Sequence, residues 1–194
     1  MEQKKRQYRK KDRTHHLLMH SAKMLFEERG LGNATIDAIT EHADVSRSTF
    51  FTHFTSVDDL LNQIANEEID DIISAAGEDG EVDIEAIFSQ LTKDTYPYPY
   101  LMSELVTRNI ISSGNSSVAK VFSLISDEIE KEGYEIPLKE FSSEDISAFI
   151  FGAYFGLIFQ KFLNHESFDD PNETYDKILH FIKYIKKQEE LKNE

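Results

Sequence analysis

Apolar residues recur along this chain at helical spacing, and the interruptions between the periodic stretches divide it into about nine helices. Leu17, Leu18, Leu25 and Phe26 mark one face of a helix expected from Thr14 to Arg29, which Gly30 and Gly32 stop. Thr35 is placed to cap a short second helix with Ile36 and Ile39 turned inward; Ala43-Asp44-Val45 forms a turn. Ser46 caps a third short helix running to about Thr52. Asp58 and Asp59 suit the first turn of a fourth, which carries Leu60, Leu61, Ile64 and Ile72 as far as Ala76. After a break at Gly77 to Gly80, further helices are expected over Asp83–Asp94, Tyr100–Ile111, Ser116–Lys131, Ser143–His165 and Glu173–Lys187. Pro97 and Pro99 separate the fifth from the sixth, because each pushes its predecessor out of the helical region. Gly133–Ser142 and Asp169–Asn172 are the remaining connections. The expected class is all-α.

The eighth helix is apolar almost all round. Phe149, Gly152, Ala153, Gly156 and Leu163 share one face, while Phe151, Phe155, Ile158 and Phe162 share the other. A helix of this kind needs cover on both sides. With the stripe of Tyr175, Ile178, Leu179, Ile182 and Ile185 on the ninth, it reads as half of a two-fold four-helix interface. The expected contact residues are Phe149, Gly152, Ala153, Gly156, Leu163, Ile178 and Ile182; a monomeric core helix is the alternative. The apolar run Phe149–Phe159 is too short to span a bilayer, which takes about 20 residues.

Charge changes the picture at the N-terminus. The chain carries a net charge of −15, yet residues 1–57 hold ten basic groups against seven acidic ones. A positive head on a negative body orients a molecule in the field of a polyanion. Residues 1–13 read as a basic, mobile arm, with Lys10, Lys11 and Arg13 available for phosphates. The absence of cysteine removes disulfides, thiol nucleophiles and Cys-based zinc sites, and fits a reducing cytoplasm. No secretory signal is visible, so a cytoplasmic location is expected.

The unit from Thr35 to Phe54 has the build of a DNA reader. Ala38 and Val45 are compact where two helices cross, and the third helix opens Ser46-Arg47-Ser48-Thr49. Short polar side chains and one arginine suit a helix whose first turn enters the major groove, where Arg bonds guanine edges and the unpaired N–H groups favour a phosphate.

The stretch from Gly32 to Phe54, followed by Asp58-Asp59-Leu60 and preceded by Phe26-Glu27-Glu28-Arg29-Gly30, resembles the TetR family of bacterial regulators. The resemblance covers the first quarter to third of the chain. It implies a homodimer of nine-helix subunits whose first three helices bind DNA. It further implies that the last two helices pair the subunits, that the fifth to eighth enclose a ligand pocket, and that a small molecule relieves repression. It implies phosphate contacts at Thr35, Thr49 and His53, base-edge contacts at Arg47 and Ser48, and an anchoring role for Phe54. Thr40, Asp44 and Ser48 depart from the small residues common in the family. Phe51 replaces a usual Tyr, leaving its ring for a thymine methyl, and Val57 replaces a frequent phosphate-binding Lys.

On this basis residues 1–13 are an arm, 14–55 a helix-turn-helix domain and 56–194 a ligand-binding and dimerisation domain. The expected function is a dimeric repressor of a palindromic operator, released by a small, largely apolar or aromatic ligand. An activator, or a helical small-molecule-binding bundle that keeps the motif as scaffold, is the alternative. Phe88, Tyr100, Phe122, Phe151, Tyr154 and Phe155 are the candidate pocket residues. His16 and His20 stand four apart as zinc ligands can, but no third ligand is evident; neither a metal, a cofactor nor a catalytic set is expected.

Overall fold

The computed structural model describes the backbone of residues 2–77, 82–112, 117–132 and 141–186, and the side chains of 11–77, 82–108, 118–131 and 141–185. All regular structure among them is helical: α1 (Glu2–Arg29), α2 (Ile36–His42), α3 (Arg47–His53), α4 (Val57–Ala75), α5 (Ile84–Thr95), α6 (Pro99–Ser112), α7 (Ser117–Glu132), α8 (Ser143–Leu163) and α9 (Pro171–Lys186). The chain forms two compact units, residues 1–67 and 68–194.

In the first unit α1 begins twelve residues earlier than the apolar pattern predicts, at Glu2 instead of Thr14. Residues 2–13 lack Gly and Pro and are mostly straight-chain Glu, Gln, Lys and Arg, which favour helix without producing an apolar stripe. Leu17 is exposed rather than buried, and the inner face is Leu18, Met19, Ala22, Leu25 and Phe26. Gly30, at φ 78°, ends the helix by returning its N–H to Phe26 O at 2.9 Å. The buried set is completed by Ile39 and Ala43 of the α2 segment, Phe50 and Phe54 around α3, and Leu60, Leu61 and Ile64 of α4.

The core of the second unit is drawn from α4, α5, α7, α8 and α9. α5 is capped by Asp83, whose carboxylate accepts from Ala86 N at 3.1 Å. α8 opens with a reciprocal capping box between Ser142 and Asp145 and ends at Leu163, two residues short of the predicted end. Its inner face is Ile146, Ser147, Ile150, Phe151, Tyr154, Phe155, Ile158 and Lys161. By length and composition alone α8 could cross a membrane; burial of that inner face against the unit's other helices is the arrangement of a core helix. Burial pushes the Tyr154 hydroxyl well above its ordinary pKa, and that hydroxyl donates to Leu91 O at 3.3 Å. Lys161, buried at the end of α8, reaches Glu173 Oε2 at 2.7 Å and Ser167 O at 3.3 Å, tying α8 to the start of α9. The two ammonium groups of Lys161 and Lys177 hold the Glu173 carboxyl down to about 2. α9 starts at Pro171, earlier than the predicted Glu173, because proline suits the first helical position and Asp170 accepts from Asn172 N at 2.9 Å.

The predicted breaks at Gly77–Gly80 and Gly133–Ser142, the start of the seventh helix at Ser116 and the end of the ninth at Lys187 lie wholly or partly outside the described residues.

Candidate nucleic-acid interface

Local chemistry sets α2 and α3. Thr35, extended at φ −89°, accepts from Ala38 N at 3.2 Å and starts α2. Thr40, buried, satisfies its hydroxyl by donating to Ile36 O at 2.9 Å. Asp44 takes a left-handed φ of 50°, and Val45 N then donates back to Thr40 O at 3.0 Å, which closes the turn. Ser46 caps α3 by accepting from Thr49 N at 3.1 Å. Its hydroxyl also lies 2.8 Å from those of Ser48 and Thr49. A helix of seven residues is too short to persist alone, so Phe50 and Phe54, both fully buried, fix it to the unit.

What α3 turns outward is polar apart from one ring. Ser46, Arg47, Ser48, Phe51 and Thr52 are exposed, and Thr49 and His53 are half-buried. Arg47 Nη1 donates to Asp37 Oδ1 of α2 at 2.7 Å, and its guanidinium carbon lies 5.9 Å from the centre of the Phe51 ring. The guanidinium is therefore held by a carboxylate on one side and an aromatic face on the other, an orienting pair that the sequence analysis missed. Thr35 is exposed at the start of α2. Lys11 and Arg13 are exposed on α1; Lys10 is on the same helix, but its side chain lies outside the described residues.

His53 meets a second histidine, His15 of α1, at a ring separation of 5.6 Å, and His15 stacks on Phe54 at 4.7 Å. Burial, more than any neighbouring charge, lowers the pKa of both imidazoles. His15 carries no apolar-pattern signal, and only the tertiary structure brings it to α3. Among the described residues no group of three or more His, Asp or Glu is placed to hold a metal ion.

In the second unit the structure brings five of the six candidate pocket residues together as a packed aromatic cluster. Phe151 lies 6.4 Å from Phe88, 4.5 Å from Phe122 and 5.1 Å from Phe155, and Tyr154 lies 5.7 Å from Phe88. Tyr100 is not part of it and is exposed. A cavity of ≈380 Å³ lies instead along α7 and the start of α8. It is lined by Phe122, Val118 and Ala119 together with Ser123, Ser126, Asp127, Glu144 and Ser147. Only Phe122 is common to both sets. None of the polar lining residues is among the candidates from the sequence.

The outer face of α8 carries Phe149, Gly152, Gly156 and Leu163 exposed, with Ala153 half-buried. A Cβ added to Gly152 or Gly156 would meet nothing within 4 Å. Ile178 and Ile182 do not share this face: both are buried in the unit's own core, because the apolar stripe of α9 turns inward.

A short helix, a tight turn and a second capped helix with a polar outer turn, set in an all-helical chain with a separate helical unit, form a helix-turn-helix. Residues 18–64 match the family model of bacterial regulatory proteins, tetR family, and the chain has the fold of a TetR-family transcriptional regulator. It is similar to a transcriptional regulator of the TerR/AcrR family from Aquifex aeolicus VF5 (20% identity, 89% of this chain and 99% of that one, TM-score 0.65). It also resembles the fatty acid degradation regulator FadR from Bacillus halodurans (13% identity, 85% and 94% covered, TM-score 0.60). A third likeness is to NalD, the secondary repressor of the MexAB-OprM multidrug efflux pump in Pseudomonas aeruginosa (15% identity, 88% and 94% covered, TM-score 0.55). At these identities the likeness is one of fold. No curated protein matches the chain by sequence.

Proposed function

We propose that this protein is a cytoplasmic, homodimeric repressor that reads a palindromic operator through α3 and is released by a small, largely apolar or aromatic ligand. The observation that carries this reading is the outward turn Ser46–Thr49 on a helix anchored from behind by Phe50 and Phe54. In this reading Arg47 and Ser48 meet base edges, and the ring of Phe51 touches a thymine methyl. Thr35, Ser46, Thr49, His53, Lys10, Lys11 and Arg13 meet phosphates, which fix register without specifying sequence. The Asp37 carboxylate holds the Arg47 fork before DNA arrives, which lowers the ordering cost of a bidentate contact.

The exposed apolar face of α8 supports the dimer, since Phe149 and Leu163 flank a floor of glycines open to a second helix. Ligand binding beside α7 and α8 would favour a dimer geometry whose two recognition helices no longer fit successive major grooves, about 34–36 Å apart. The ≈380 Å³ cavity offers the Phe122 ring to an apolar body and serine hydroxyls to a polar group.

The test is Arg47→Ala against an operator selected from genomic fragments. The expected loss is roughly 1–3 kcal/mol in binding, with relaxed preference at one position per half-site. Equal losses on operator and random DNA would instead make Arg47 a phosphate contact.

A further inference from the structure

The contact between α1 and α3 concentrates imidazoles beside the recognition helix. Lys11, Asp12, His15 and His53 line a cavity of ≈270 Å³. The His15 ring lies nearly parallel to Phe54, at 27°, and 5.9 Å from the ring of His16. His16 in turn lies 3.6 Å from Asp12 Oδ1 and 3.6 Å from Glu67 Oε1. The titratable groups facing this place are thus Lys11, Asp12, His15 and His16 from α1, His53 from α3 and Glu67 from α4.

With the imidazoles neutral, one ammonium stands against two carboxylates and the place is net negative, so an anion is repelled. Protonating His15 and His53 alone reverses the sign. Burial lowers both below the ordinary imidazole range, Lys11 and a neighbouring histidine lower each further, and Glu67 and Asp12 oppose this at His15, so in the free protein each gives up its proton more readily than a free imidazole. An anion seated between them would favour their charged forms, and the bound state then holds more protons than the free one.

We propose that the cavity between Lys11, His15 and His53 is a proton-coupled seat for a backbone phosphate of duplex DNA, so that DNA binding strengthens as pH falls. The proposal rests on the DNA-binding reading above and adds a chemical condition to it. His53 is the last residue of α3, which places the seat at the end of the helix opposite the Ser46 cap. The sign follows from linkage: protons taken up on binding make the association constant fall as pH rises, by roughly tenfold per pH unit for each proton in the window where uptake is complete.

The experiment measures anisotropy of a fluorescein-labelled, mixed-sequence duplex of about 30 base pairs at fixed low salt, from about pH 5.5 to 8. A mixed sequence suffices because a phosphate seat does not read bases. The wild-type association constant should fall at least tenfold across that range. His53→Gln and His15→Gln should each reduce the slope of log affinity against pH by about half, whatever their absolute affinity. Histidine side-chain NMR should show the titration points of His15 and His53 rising when the duplex is added. Since His15 packs on Phe54, loss of folding in His15→Gln leaves His53→Gln to decide. A wild-type slope retained in His53→Gln, or histidine titrations unmoved by DNA, overturns the proposal. Tight binding with a flat pH profile overturns it while sparing the DNA-binding reading, whereas no duplex binding at any pH overturns both.

Discussion

Helix α3 is seven residues long and buries one of them, Phe50; α8 is 21 residues long and buries eight. The first depends on what lies at its ends, a serine cap before it and Phe54 behind it, while the second is held along its whole length by the core. Each leaves a face without cover, and the two faces differ in chemistry. Arg47, Ser48 and Thr52 are well solvated as they stand, so exposing them costs little and leaves them available for polar edges and phosphates. Phe149 and Leu163 are not, and an apolar stripe left in water favours association. Which partner a face calls for is therefore readable from the penalty of leaving that face bare.

The sharpest way to break this contrast is to remove the anchor. Phe54→Ala should lower the stability of the first unit by about 3–5 kcal/mol, with loss of the His15 stacking partner, as read by thermal and urea unfolding. If α3 survives that change intact, the claim that it is held from behind is wrong. Next in size is the association of α8. Leu163→Glu, at a side chain 81% exposed, should weaken a dimer by about 1.5–3 kcal/mol, seen in sedimentation equilibrium as a shift to monomer at micromolar concentration, with little change in protomer stability. An unchanged mass distribution would place the subunit contact elsewhere. The smallest effect belongs to the cap. Ser46→Ala should cost about 1 kcal/mol of stability, measured by chemical denaturation, because Thr49 N loses its acceptor. A loss near zero would mean that the Ser48 hydroxyl beside it takes over.

The elements with local signatures were legible in the sequence. Thr35 and Ser46 announce their helices because a cap is a property of three or four neighbouring residues, and both caps are present. The polar opening of α1, residues 2–13, was not legible, since a helix without an apolar stripe leaves no periodic trace. Periodicity on α9 marked Ile178 and Ile182 as buried-face residues; they were expected against a second subunit, but they pack into their own unit, because periodicity alone does not name the covering surface. The same limit applies to chemistry. Asp37 beside Arg47 and His15 beside His53 are pairs made by folding, separated by 10 and 38 positions respectively, and no spacing rule connects them. Ser126, Asp127 and Ser147 carry no pocket signature in the sequence and line one cavity only once α7 and α8 are set side by side.

The left-handed backbone at Asp44 limits which side chains suit the turn. A single L-residue with a Cβ occupies a conformation that costs roughly 1–2 kcal/mol for most side chains and is tolerated best by glycine, asparagine and aspartate. A valine or isoleucine placed there would carry that cost or reopen the bend that aims one short rod at the next. The orientation of α3 against α2 is in this sense written in a residue that belongs to neither helix.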